Sequence, residues 1–61
     1  MTEMFVLVEY INEKPYYYKG YYHLGTPSIT DNINYAAMFI TRDIAVEVRN
    51  RLSELKEFTV E

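Results

Sequence analysis

From Met4 to Ile11 the chain runs Met-Phe-Val-Leu-Val-Glu-Tyr-Ile, apolar everywhere except Glu9 and rich in β-branched and aromatic residues. That pattern predicts a strand. Asn12-Glu13-Lys14-Pro15 follows as a polar stretch of turn formers, and Tyr16 to Tyr22 reads as a second strand, so the first half predicts a β-hairpin with a four-residue connection. His23 to Ser28, with Gly25 and Pro27, is expected to be a loop. Thr30-Asp31-Asn32-Ile33 resembles a helix start, with Thr30 as N-cap and Asp31 near the positive end of the dipole, leading into a short helical piece through Ala36 and Ala37. Met38-Phe39-Ile40 suggests a brief strand. Thr41 then caps a main helix expected from Arg42 to Leu55 or Lys56. It lacks a capping box, because Ile44 occupies the third position. Ile44, Ala45, Val48, Leu52 and Leu55 form one apolar stripe along that helix, and Glu47 precedes Arg51 by four residues in the favourable acid-first order. Phe58-Thr59-Val60 alternates and is expected to add an edge strand. The fold class expected is α+β, a single domain over residues 1–61, with a small antiparallel sheet of about three strands and one main C-terminal helix on one face.

The pattern contains a mismatch. Side chains alternate along a strand, so Met4, Val6, Val8 and Tyr10 share one face of the first strand and Phe5, Leu7 and Ile11 the other. Both faces are apolar, yet the chain has one substantial helix, and one helix covers one face. The second strand sharpens the conflict, because Tyr16-Tyr17-Tyr18-Lys19-Gly20-Tyr21-Tyr22 places five tyrosines within seven residues. Tyr16, Tyr18 and Tyr22 fall on the side of Gly20, and Tyr17 and Tyr21 flank Lys19 on the other. The lysine marks the second side as the exposed one. The expected protein-contact set is Tyr17, Lys19 and Tyr21, joined by Phe5 and Leu7, and Tyr16, Tyr18 and Tyr22 are the expected core set. A contiguous exposed apolar surface on a small protein marks an interface. Self-association into a homodimer is the commonest use of one. The alternative is that the helical piece from Ile33 to Ala37 folds over the second face.

Composition adds bounds. At 61 residues the domain buries only about 60% of the surface its unfolded chain exposes, so stability is marginal without tight packing or association. There is no cysteine, hence no disulfide framework and no thiolate metal site. Six basic against nine acidic residues give a net charge of −3, which argues against non-specific nucleic-acid binding. Met1-Thr2-Glu3 lacks a basic signal-peptide leader, and the apolar run Met4 to Val8 is too short to cross a bilayer. A cytoplasmic protein with no membrane association is expected.

Candidate chemistry is sparse. His23 is the single histidine and has no sequence partner with which to hold a metal. Ser28 and Thr30 lack an adjacent base, and Gly20 and Gly25 do not match a phosphate loop. Asp31-Asn32-Ile33-Asn34 does not follow calcium-loop spacing and fits a helix cap better. No catalytic residue, cofactor or metal is expected, and the chain reads as a non-enzyme. The tyrosine strand offers a stacking platform for single-stranded nucleic acid, but Lys14 and Lys19 are the only cations of the hairpin, with Glu9 and Glu13 beside them.

Lys14-Pro15-Tyr16-Tyr17-Tyr18-Lys19-Gly20, the Thr30-Asp31-x-Ile33-x-x-Ala36-x-x-Phe39 segment and Thr41-Arg42-Asp43-Ile44-Ala45 together resemble small accessory proteins encoded by bacteriophages and prophages. The shared features are a hairpin, a packing alanine and a helix cap, and they carry no active site. The resemblance implies a phage-encoded protein that binds and inhibits or redirects a host protein, an anti-defence factor among the options, in the host cytoplasm. The alternative is a nucleic-acid-associated regulator that stacks bases on the tyrosine strand.

Overall fold

The computed structural model describes residues 3–61. Met1 and Thr2, part of the stretch read for a leader, lie outside the described residues. The element order is β1 (Leu7–Ile11), β2 (Lys14–His23), β3 (Thr26–Thr30), a 3-10 turn (Ile33–Tyr35), α1 (Arg42–Leu52) and β4 (Thr59–Val60). The strands form one antiparallel sheet in the order β3-β2-β1-β4. The α+β class therefore holds, with one C-terminal helix and four strands where about three were expected.

Both hairpins close through two-residue turns with positive φ. Asn12 (φ 53) and Glu13 (φ 70) join Ile11 to Lys14, and Leu24 (φ 53) and Gly25 (φ 80) join His23 to Thr26. Positive φ at both central residues matches the right-handed twist of the strands they join. The first connection is thus shorter than the expected Asn12–Pro15. The segment expected as a loop, His23 to Ser28, is the second turn and the start of β3. Proline fits there because β3 is an edge strand, where a missing N–H can be tolerated.

Near Gly20 the sheet opens. The β2–β3 register shifts between Tyr18 and Tyr22, and the segment after the 3-10 turn enters beside the break. Ala37 N donates to Tyr18 O at 2.8 Å, and Phe5 and Phe39 exchange backbone hydrogen bonds of 2.8 Å in both directions. Gly20 has φ +96, and a Cβ there would stand 3.2 Å from Ala37 Cβ. Of the brief strand expected over Met38–Ile40, this single bridge at Phe39 forms. Thr30 is not a helix N-cap. Asn32 caps the 3-10 turn, its Oδ1 accepting from Asn34 N at 2.9 Å, while Thr30 Oγ1 accepts from Asn32 N at 3.1 Å.

Thr41 does cap α1, its Oγ1 accepting from Ile44 N at 3.2 Å. The helix ends at Leu52, short of Leu55, and the carbonyl of Leu52 accepts from both Leu55 N and Lys56 N at 2.9 Å. This turn returns the chain so that Phe58 enters the core and Thr59–Val60 pairs with β1. The core is Leu7, Tyr18, Ala45, Leu52 and Phe58, with Phe5, Ile29, Ala37, Phe39, Val48 and Val60 packed against it. Each fully buried aliphatic contributes roughly 1.5–3 kcal/mol. The Tyr18 and Phe58 rings meet at 5.7 Å with a 47° tilt. Glu9, the one acid in the β1 pattern, sits at the margin of this face and receives Lys56 Nζ at 3.1 Å.

Candidate interaction face

Register decides which side chains share each face. Val8 lies opposite Tyr17, Glu9 opposite Tyr16, and Tyr17 opposite Thr30. Opposed residues project to the same side, so Phe5, Leu7, Tyr16, Tyr18 and Ile29 face α1. Val6, Val8, Tyr10, Tyr17, Lys19, Ser28 and Thr30 face away from it. Phe5 and Leu7 are therefore corrected. Leu7 is fully buried and Phe5 packs on the same core, so neither can belong to an exposed contact set. Tyr18 takes the core position expected of it, Tyr16 is half-buried, and Tyr22 is 49% exposed and outside the core.

On the helix-free face, Val6 and Val8 are buried although they do not belong to the core beneath the helix. Tyr10 Oη donates to Glu61 Oε2 at 2.7 Å, and Glu61 pairs with Val6 through backbone bonds of 2.8 and 3.0 Å. Since Thr59 opposes Val8 in the same ladder, the Tyr10 side chain spans the Val8–Thr59 level to reach that carboxylate. On the other flank Lys19 Nζ lies 5.3 Å from the centre of the Tyr21 ring. Tyr17 and Lys19 are half-buried, and Tyr10 and Tyr21 are about half exposed. This side of the sheet therefore carries exposed tyrosines, two buried valines, one cation and one carboxylate. The 3-10 turn does not bury its apolar residues over this face: it contains no buried residue, and Tyr35 is 66% exposed.

The phenols differ electrostatically. Tyr21 is held below the ordinary tyrosine pKa, first by the Lys19 ammonium, which favours its phenolate, and next by Ser28. Tyr10 is pushed up, chiefly because its proton is held in the bond to Glu61. Burial in the core pushes Tyr18 up.

Elsewhere the surface offers less. A shallow recess of about 330 Å³ is lined by Arg49, Asn50, Ser53, Glu57 and Phe58 at the end of α1. His23 does not line it and stands exposed at the end of β2. Among the described residues no three metal-ligating side chains converge, and no helix is long and apolar enough to cross a membrane. Sequence reasoning missed Tyr10, Val6 and Val8 as members of the face with Tyr17. The signal was available in their shared parity, since they were already grouped on one side of β1. Comparison with protein-family models, with curated proteins and with solved structures returns no match.

Proposed function

We propose that the chain is a non-enzymatic protein-binding module, phage-encoded, that uses the helix-free face of its sheet to occupy a surface of a host protein and inhibit or redirect it. The observation that carries this reading is the face itself: Tyr17 lies opposite Val8 on the side away from α1, Tyr10 and Tyr21 are about half exposed, and no helix among the described residues packs on that side. Tyrosine suits such a role because it removes a large apolar area from water and keeps a hydroxyl for hydrogen bonding. Lys19 adds a cation whose Nζ stands 5.3 Å from the centre of the Tyr21 ring. The same face is the surface through which the chain would form a homodimer.

The test is the double substitution Tyr17→Ser with Tyr21→Ser. Circular dichroism is expected to be unchanged, while association weakens at least tenfold in light scattering for the dimer and in pull-down from bacterial lysate for the host partner. An unfolded double variant would mean that these rings stabilise the core. Titration with labelled single-stranded DNA at two salt concentrations separates the stacking alternative, which requires binding that falls steeply with salt.

A further inference from the structure

The second hairpin carries a residue that folding does not explain. Leu24 is 90% exposed, the highest value among the exposed large apolar residues described, and it holds φ 53 at the first central position of the β2–β3 turn. Left-handed backbone disfavours a residue with a bulky side chain, and Asn, Asp or Gly normally occupies this turn position. Two unfavourable choices thus meet at one site, a strained backbone and an apolar side chain held in water. Gly25 beside it follows the usual turn chemistry, with φ 80 and open space around it. Strain of this kind persists at contact sites more often than elsewhere.

The surroundings define what Leu24 is suited to meet. Every residue from Gly20 to Thr26 is exposed, so none of the other described residues buries the tip. From Gly20 to Thr30 there is no Lys, Arg, Asp or Glu in a chain that is 25% charged. Tyr21 and Tyr22, each about half exposed, flank the apex, and Thr26 Oγ1 donates to His23 O at 3.1 Å across the turn. A tip with no Lys, Arg, Asp or Glu, with one aliphatic apex and with hydroxyls and a single imidazole around it offers little to neutralise phosphates, which weighs against nucleic acid and anionic lipid. It matches the central apolar anchor and polar surround of a protein interface.

We infer that the β2–β3 hairpin is an insertion element, with Leu24 entering a concave apolar pocket on the protein partner while Tyr21 and Tyr22 hydrogen-bond at its rim. This rests on the protein-binding reading above and names the part of the molecule that leads the contact.

The experiment combines stability with site-specific crosslinking. Leu24→Asn is expected to raise the melting temperature by about 2–5 °C, because Asn accepts the left-handed conformation. Glu13→Gly, at the strained position of the first turn, is expected to do the same and serves as the control. A photoreactive amino acid placed at position 24, and in separate chains at position 17, is then irradiated in bacterial lysate. A discrete adduct from position 24 is expected that excess wild-type chain or Glu13→Gly abolishes and Leu24→Asn leaves intact. A less stable Leu24→Asn variant overturns the inference. An adduct of twice the chain mass, or pelleting of the wild-type chain but not Leu24→Asn with phosphatidylcholine vesicles, also overturns it, in favour of a second copy or a membrane surface. Adducts from position 17 alone retain the protein-binding reading and overturn the role of Leu24. Adducts from neither position overturn both.

Discussion

At the scale of single residues, the tyrosines are chemically distinct despite their proximity. Tyr21 ionises more readily in the folded chain than in the unfolded one, so its contribution to stability is present above the unfolded pKa and lost as pH falls through the lower folded value. Tyr10 and Tyr18 have the opposite sign: their contribution is complete below the unfolded pKa and is lost as pH rises through the raised folded value. In an alkaline titration of phenolate absorbance Tyr21 should therefore ionise before Tyr10 and Tyr18. Tyr21→Phe should delete the Tyr21 step, and Lys19→Met should move it to higher pH. If Lys19→Met leaves the Tyr21 step in place, the lysine does not set the acidity of Tyr21. Gly20 is the other residue with a specific burden. At φ +96 and with Ala37 Cβ 3.2 Å from the site of a new methyl, Gly20→Ala should lose about 1–2 kcal/mol in thermal unfolding.

At the scale of elements, the helix tests how far periodicity can be trusted. Ile44, Ala45, Val48, Leu52 and Leu55 all fit one stripe, yet Ala45 and Leu52 are buried while Ile44 and Leu55 are 46% and 49% exposed. Leu52→Ala should lose about 2–5 kcal/mol and Ile44→Ala under about 1 kcal/mol in urea unfolding. Equal losses would mean that α1 is rotated from the orientation described. Thr41→Ala should remove about 1 kcal/mol, the usual worth of a single capping bond. The cap, the helix start, the first two strands and β4 were legible in the sequence because each depends on residues adjacent in the chain. β3 was hidden because Thr26-Pro27-Ser28-Ile29-Thr30 has little apolar alternation and a proline, and its strand character comes from pairing with β2. The face assignment failed for a different reason. Any even-numbered turn after Ile11 opposes even positions of β1 to odd positions of β2, so Tyr17 belongs with Val8 and cannot lie beside Leu7. That relation was available in the sequence and required only that the two strands be paired explicitly. The entry of Ala37–Phe39 beside Tyr18 and Phe5 was not legible, since it depends on the break at Gly20.

At the scale of the whole molecule, the small core limits what the fold can tolerate. A chain of this length has a total stability of about 3–9 kcal/mol at the usual value per residue, and its core cluster has five buried members. Leu7 is central among them, fully buried between the sheet and α1. Leu7→Ala should remove about 2–5 kcal/mol, enough to leave a large fraction unfolded at ambient temperature. The opposite face is built differently, because Tyr17 and Tyr21 lie outside that cluster and their loss leaves no cavity beneath the helix. Tyr17→Ser with Tyr21→Ser should accordingly keep a cooperative melt in which Leu7→Ala does not. If the dimer forms through the open face, the wild-type melting temperature should also rise with protein concentration, and the double variant should lose that dependence, because association stabilises the folded chain by mass action. A concentration-independent wild-type melt, with a monomeric mass by light scattering, would remove self-association and leave the face free for a different protein.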